Sequence, residues 1–173
     1  MFKHLHGGNL ERALNNNNIS INFYKLEEKQ KFTISISEII SQLAGIDLVF
    51  LCNPNNPTGT FLHKEEILIL VKEVQRRSIF LVLDEAFIDL HEEESLLREV
   101  RNNDHLFVLR SLTKFYGLPG LRIGFGVGSS KLIEKLEGQK IPWSVNYLAQ
   151  IVVREGLRAV SYTHLRAHET PEH

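Results

Sequence analysis

The sequence predicts an α/β protein with a mostly parallel sheet. Short apolar runs at residues 46–51, 79–83, 105–109 and 123–127 have the length and composition of buried strands. An amphipathic segment at 63–77 stands between the first two runs, as in a β-strand, helix, β-strand unit. Three of the runs are followed by loops rich in glycine, proline or polar residues, where α/β proteins place their chemistry.

The segment at 63–77 is the clearest predicted helix. Its apolar residues recur at helical spacing, and its acidic residues stand in the first turn and its basic residues in the last, which suits the helix dipole. These residues are Ile67, Leu70, Val71 and Val74 for the apolar stripe, and Glu65, Glu66, Arg76 and Arg77 for the two ends.

Weaker patterns predict the remaining elements. Partial apolar alternation at 19–26 predicts a strand, and the acidic run at 92–94 predicts the start of a helix over 95–100. Ser35 or Ser37 is a candidate N-cap for a short helix covering 39–43. Ser129 or Ser130 is a candidate cap for a helix to about residue 140, and a longer helix is expected over 143–160.

Composition excludes several classes of protein. The 173 residues carry twenty basic and twenty-one acidic side chains, so nothing in the charge indicates a nucleic acid or membrane partner. No apolar run reaches the length of about 18 residues that a transmembrane helix needs. The single cysteine, Cys52, is expected to pack at a strand end and suits a cytoplasmic location. His164 and His168 lack a third ligand at sensible spacing, so no metal site is predicted.

The polar loops carry three motifs. They are N-P-N-N-P-T-G at 53–59, D-E-A-F-I-D at 84–89 and S-L-T-K-F-Y-G-L-P-G-L-R at 111–122. In the third motif, Ser111, Thr113 and Arg122 supply the donors that a phosphate needs, and Lys114 is a candidate Schiff-base lysine. Taken alone, a lysine at this position is most often an ordinary solvated loop lysine, since exposed lysines are the rule.

In this order and spacing the motifs resemble those of the fold-type-I pyridoxal 5′-phosphate (PLP) enzymes, the aminotransferase class I/II superfamily. The resemblance implies part of the large domain of that fold, with helices on both faces of the sheet. It implies that Lys114 holds PLP covalently, that Asp84 pairs with the pyridinium nitrogen and that Asn56 donates to the ring oxygen. Ser111, Thr113 and Arg122 would bind part of the 5′-phosphate.

Within the superfamily, the second and third motifs and residues 142–146 look most like the threonine-phosphate decarboxylases of cobalamin biosynthesis. That branch implies decarboxylation of L-threonine O-3-phosphate to (R)-1-aminopropan-2-yl phosphate, with His6, Gly7 and Asn56 contacting the substrate. Phe87 stands where many aminotransferases have tyrosine, which favours the decarboxylase branch. A histidinol-phosphate-type aminotransferase, or an inactive fragment of either enzyme, is the alternative.

The resemblance also predicts how the chain is divided. Residues 1–10 form an N-terminal segment, 11–142 a partial PLP-binding large domain, and 143–160 a long helix leading towards a small domain that is missing. A long stretch between the first two parts is predicted to be absent, and intact members of the family are homodimers. Residues 161–173 match no family pattern and are expected to be a non-native, disordered tail of the kind produced by sequencing-adapter read-through.

Overall fold

A computed structural model describes residues 9–115 and 117–156. Its centre is a four-stranded sheet whose spatial order equals the chain order. The first three strands are parallel, and the fourth runs antiparallel to the third. The strands are β1 (Leu48–Cys52), β2 (Phe80–Asp84), β3 (Leu106–Ser111) and β4 (Gly124–Val127). The predicted α/β class with a mostly parallel sheet is therefore confirmed.

Helices precede, connect and follow the strands. They are α1 (Asn9–Asn16), α2 (Ile36–Ser41), α3 (Lys64–Arg76), α4 (Ser130–Glu137) and α5, which occupies 147–156 within the described residues. Short 3₁₀ turns lie between them at Glu28–Gln30, Ile88–Leu90, Glu92–Glu94, Glu99–Asn102 and Pro119–Leu121. Among the described residues, no helix combines the length and apolarity that crossing a membrane requires.

Helix α3 connects β1 to β2, as its sequence pattern predicts. The Glu66 carboxylate accepts a hydrogen bond of 2.9 Å from the His63 backbone N–H, which ties the first turn to the residue before the helix. The four apolar residues of the predicted stripe are all buried. Serine caps are also confirmed for α2, where Ser35 accepts from the Glu38 N–H, and for α4, where Ser129 accepts from the Leu132 N–H.

The hydrophobic core lies on one face of the sheet. Alternate residues of the parallel strands point to this face and pack with α2 and α3: Val49, Leu51, Leu81, Leu83, Leu106 and Val108 are all buried. The opposite face, with Phe50, Val82 and Leu109, is only half-buried. On that face, Leu132 of α4 and the Phe107 ring both lie beside Gly128.

The predicted strand at 19–26 is wrong, because the segment has no regular structure. The segment is held by the Tyr24 side chain and not by hydrogen bonds to a neighbouring strand. The Tyr24 hydroxyl donates to the Glu38 carboxylate at 2.6 Å and accepts from the Ser35 N–H at 3.2 Å. Tyr24 and Leu26 are thus placed against the core without pairing with β1, whereas Ile19 is exposed.

Two predicted helices also differ from the structure. Residues 92–102 form 3₁₀ turns, since the Leu96 N–H donates to the buried Glu85 carboxylate (2.8 Å) and not to a helical carbonyl. Helix α5 begins at residue 147 instead of 143. Trp143 has a left-handed backbone (φ 65°), and the Asn146 side chain caps the helix by accepting from the Ala149 N–H at 2.8 Å. The predicted end of this helix and the tail lie outside the described residues.

Candidate functional site

The three motifs meet at one edge of the sheet, because the carboxyl ends of parallel strands share an edge. Cys52, the last residue of β1, pairs in register with Asp84, the last residue of β2. Ser111 ends β3, and Lys114 follows it in the next loop. The Asp84 carboxylate is held by the Ala86 backbone N–H, which donates to Oδ1 at 3.0 Å.

The Cys52 thiol lies among the predicted site residues. Its pKa is raised to about 12, chiefly by burial and also by the neighbouring Asp84 carboxylate. The Asn56 backbone N–H and the Lys114 ammonium act in the opposite direction and lower it. Asn56, Asp84 and Lys114 belong to three different motifs, and each lies near enough to the Cys52 sulfur to affect its pKa. The three motifs are therefore close together at this thiol.

An open cleft of about 770 Å³ lies at this edge. Four of the predicted cofactor-binding residues line it, namely Asp84, Ser111, Lys114 and Arg122. Two glycines of strand β4, Gly124 and Gly126, line the cleft. Neighbouring atoms lie so close to both that a larger residue would not fit. A Cβ at Gly126 would lie 2.2 Å from the Phe107 ring, and one at Gly124 would lie 2.5 Å from the Arg110 carbonyl oxygen.

Hydroxyl and guanidinium donors stand on one side of the cleft. The Ser111 and Thr113 hydroxyl oxygens are 2.8 Å apart, and the Thr113 backbone N–H donates to Ser111 Oγ at 3.3 Å. Thr113 is buried, whereas Arg122 is exposed and has a left-handed backbone (φ 50°). The Arg122 guanidinium donates to the Pro119 carbonyl at 3.4 Å, which leaves further N–H groups for an anion. This donor set suits a phosphate.

Lys114 is exposed at the cleft, and its Nζ lies 5.0 Å from the centre of the Phe87 ring. Phe87, which stands where many aminotransferases have tyrosine, therefore lies beside the predicted Schiff-base lysine. Its ring offers an apolar face and no hydroxyl. An amine, a carboxylate and a set of phosphate donors around one cleft match the functional groups of PLP: an aldehyde, a ring nitrogen and a phosphate.

An ion cluster surrounds the buried Arg110 side chain beside this edge. The Glu85 and Asp89 carboxylates in it are shielded from solvent, whereas Glu92 is exposed. Arg110 donates to Glu92 at 2.7 Å and to Asp89 at 3.1 Å, and its guanidinium lies 3.7 Å from the Glu85 carboxylate. Glu85 accepts from the Ser95 hydroxyl at 2.6 Å and from the Leu96 N–H. Burial raises the pKa of Glu85 above its usual value, although Ser95, Leu96 and Arg110 oppose this effect.

The sequence interpretation placed only part of this site. His6 and Gly7, the predicted substrate contacts, lie outside the described residues. Cys52 and the buried Asn53 were not selected, although both directly precede or open the first motif. Their position at the end of a predicted strand, at the same sheet edge as Asp84, is the sequence feature that could have indicated a place in the site. Within the described ranges, no group of three or more His, Cys, Asp or Glu residues is arranged to hold a metal.

Comparison with known proteins agrees with the three motifs. The family model for aminotransferase class I and II matches residues 8–170, which is most of the chain. The chain belongs to this family. The match also includes residues 161–170, part of the segment that the sequence interpretation set aside as a tail.

Individual members of the family are similar over most of this chain. A protein of Caldanaerobacter subterraneus subsp. tengcongensis, named provisionally as a threonine-phosphate decarboxylase, is 43% identical over 147 residues, covering 83% of this chain and 40% of that protein. The histidinol-phosphate aminotransferase of Blochmanniella pennsylvanica is 35% identical over 143 residues, with coverages of 83% and 40%. The chain thus spans about 40% of the length of these curated relatives.

A solved structure shares the fold. The histidinol-phosphate aminotransferase of Clostridium acetobutylicum superimposes with a TM-score of 0.74 at 30% identity, covering 82% of this chain and 43% of that one. The architecture is therefore that of part of a PLP-dependent transferase.

Proposed function

We propose that this chain is the cofactor-binding part of a PLP-dependent enzyme that acts on a phosphorylated amino acid. PLP is the cofactor of the aminotransferase class I and II family. The observation that carries the proposal is that Asp84, Ser111, Lys114 and Arg122 line one cleft at the carboxyl edge of the parallel strands.

Each residue has a role that its position supports. The bound cofactor supplies an electron-withdrawing ring that weakens the bonds to the substrate Cα. Lys114 Nζ would be the amine that binds the aldehyde, and it could carry a proton to or from the substrate Cα. The Asp84 carboxylate would hold a proton on the ring nitrogen, and Asn56 would donate to the ring oxygen. Ser111, Thr113 and Arg122 would bind the phosphate and so orient the ring.

The reaction we propose is decarboxylation of L-threonine O-3-phosphate to (R)-1-aminopropan-2-yl phosphate. Its support is the higher identity to the provisional decarboxylase, 43% against 35% for the aminotransferase, together with Phe87 at the site. We further propose that His6, Gly7 and Asn56 contact the substrate. A cytoplasmic homodimer is the assembly that the family resemblance supports.

A histidinol-phosphate-type aminotransferase is the second candidate. Fold similarity does not separate the two, since the solved aminotransferase has a TM-score of 0.74 and the L-threonine-O-3-phosphate decarboxylase of Porphyromonas gingivalis one of 0.72. The two reactions differ in the bond broken at Cα, which is the bond to the carboxylate in one case and the bond to hydrogen in the other. CO₂ release from phosphothreonine, compared with amino transfer from histidinol phosphate, separates them. Neither activity in a chain that binds PLP would identify an inactive fragment.

Titration of the purified chain with PLP tests the cofactor site. We expect a saturable visible absorption band that is lost in Lys114→Ala, because among the described residues Lys114 is the lysine that lines the cleft with Ser111 and Arg122. Lys131→Ala is the matched control, since Lys131 is an exposed lysine on α4, away from the cleft. Equal bands in all three proteins would show nonspecific reaction with surface lysines and would contradict the proposal.

A further inference from the structure

We propose that Asn53 is a positioning residue that holds the loop carrying Asn56 against the strand end carrying Asp84. This inference rests on the proposed PLP function and concerns how the first motif is held at the site. Asn53 directly follows β1, and only 1% of its surface is exposed.

The Asn53 side chain bonds to the Leu62 backbone in the way that a neighbouring strand would. Its Nδ2 donates to the Leu62 carbonyl at 2.9 Å, and its Oδ1 accepts from the Leu62 backbone N–H at 2.8 Å. A residue of an adjacent antiparallel strand would exchange the same pair of bonds. Leu62 is itself buried, with 3% exposed, so both bonds are shielded from water. The amide therefore closes the neck of the loop at 54–61.

The Asn53 backbone connects the same neck to the second motif. Its N–H donates to the Asp84 carbonyl at 2.9 Å, continuing the pairing of β1 with β2. One residue thus bonds both to the strand end that carries Asp84 and, through Leu62, to the far end of the loop that carries Asn56. Loss of the side-chain bonds would release the far end of the loop at Leu62, while the backbone bond of Asn53 to Asp84 and strand β1 stay in place.

The loop beyond the neck is closed by its own bonds. The Asn55 N–H donates to the Thr60 carbonyl at 2.8 Å, and the Gly59 N–H donates to the Asn55 carbonyl at 2.7 Å. The Asn55 side chain donates to Thr58 Oγ1 at 2.6 Å. Since the loop is internally fixed, the neck determines where the whole loop lies, and so where Asn56 stands relative to Cys52 and Asp84.

The variants Asn53→Ala, Asn56→Ala and their double variant test this proposal by PLP titration of the full chain. We expect each single variant to weaken PLP binding by on the order of tenfold, the size of one lost or misplaced hydrogen bond. The double variant should be no weaker than the weaker single one, since both act through the same contact. Additive losses, or wild-type affinity in a folded Asn53→Ala, would overturn the proposal.

Asn103→Ala is the matched control. Asn103 is a buried asparagine whose Oδ1 accepts from the His105 N–H at 2.8 Å, before β3 and away from the cleft. It should lower the melting temperature without changing PLP affinity or the absorption maximum. An equal loss of affinity in Asn103→Ala would show that general destabilisation explains the Asn53 effect.

Two further measurements keep the test decisive. If Asn53→Ala fails to fold, Asn53→Ser takes its place, because it keeps a neutral polar group at the buried position and loses the paired bonds to Leu62. Hydrogen exchange of the unsubstituted chain should show the Leu62 amide protected like a strand amide. Rapid exchange would overturn the proposal that the Asn53 side chain holds Leu62. A chain that shows no Lys114-dependent band would overturn the proposed function, and with it the role of Asn53 in cofactor binding. If the Leu62 amide of that chain is protected, the loop is still held by Asn53 and the fault lies in cofactor binding alone.

Discussion

At the residue scale, neighbouring side chains at the strand ends do different work. Asp84 lines the cleft, whereas the next residue, Glu85, is buried among Ser95, Leu96 and Arg110. Ser111 and Arg110 divide in the same way at the end of β3. The alternation follows from strand geometry, since successive side chains point to opposite faces. Each strand end thus contributes one residue to the site and one to its support.

Cys52 gives a prediction at this scale. With 5% exposed and a pKa of about 12, the thiol should stay protonated and react slowly with a thiol reagent at pH 8 in the folded chain, but rapidly in denaturant. Because the folded pKa lies above the unfolded one, the free energy of unfolding should fall as pH rises from about 9 to about 12.

Two measurements check this prediction. Thiol-reaction kinetics with and without denaturant report the protection of Cys52, and Cys52→Ala should reduce the fall in stability above pH 9. Tyr24→Phe is the control, because the pKa of Tyr24 is also raised, chiefly by burial, and contributes to the same fall. Rapid reaction in the native chain would contradict the buried position.

At the element scale, the site depends on how the segment after β2 is attached to β3. Residues 88–102 contain only short 3₁₀ turns, so few backbone bonds hold them. Arg110 on β3 bonds to Asp89 and Glu92 of this segment, and Glu85 bonds to Ser95 and Leu96. The ion cluster therefore replaces the regular structure that would otherwise fix this segment to the sheet.

Arg110→Met tests that role. Removing the guanidinium leaves the Glu85, Asp89 and Glu92 carboxylates without their shared cation, and we expect a loss of about 3–5 kcal/mol in the free energy of unfolding. Chemical denaturation measures it. Arg76→Met is the control, since Arg76 pairs with Glu73 on the exposed side of α3 and its loss should matter little. Equal effects would mean that the buried cluster contributes no more than a surface pair.

At the scale of the whole molecule, the sheet is covered unevenly. One face is fully buried under α2 and α3, while the other, which includes Phe50 and Val82, is half-exposed. The cleft lies at the open edge, where residues of the second and third motifs and of β4 line it. A ligand bound to all of these loops would join parts of the chain that otherwise contact one another through few bonds.

PLP should therefore raise the melting temperature of the chain. At a free concentration about 100 times Kd, ligand linkage adds about 2.7 kcal/mol, or about 5–10 °C for a chain of this size. Thermal unfolding with PLP, and with pyridoxal as the ligand lacking phosphate, measures the effect. Pyridoxal should stabilise less than PLP, and Lys114→Ala should respond less than the unsubstituted chain. Equal shifts with both ligands would contradict the assignment of Ser111, Thr113 and Arg122 to the phosphate.

Local sequence determined much of this fold. The β-strands, α3 and the serine caps of α2 and α4 follow from apolar periodicity and capping chemistry, which act over a few residues. The order and spacing of the three motifs also indicated the family before any coordinates were considered. Parallel strands then required Asp84 and the loops around it to meet at one edge.

Only the tertiary structure decided the features that depend on contacts distant in sequence. The segment at 19–26 has a strand-like pattern, yet the Tyr24 bonds to Ser35 and Glu38 hold it without a ladder. Residues 92–102 do not form a helix, because Glu85 takes the Leu96 amide. Asn53 was indistinguishable from the other asparagines of its motif until its bonds to Leu62 were seen. In each case one or two hydrogen bonds involving a side chain, between residues 9 to 14 positions apart, decide the local arrangement. Periodicity carries no information about such partners.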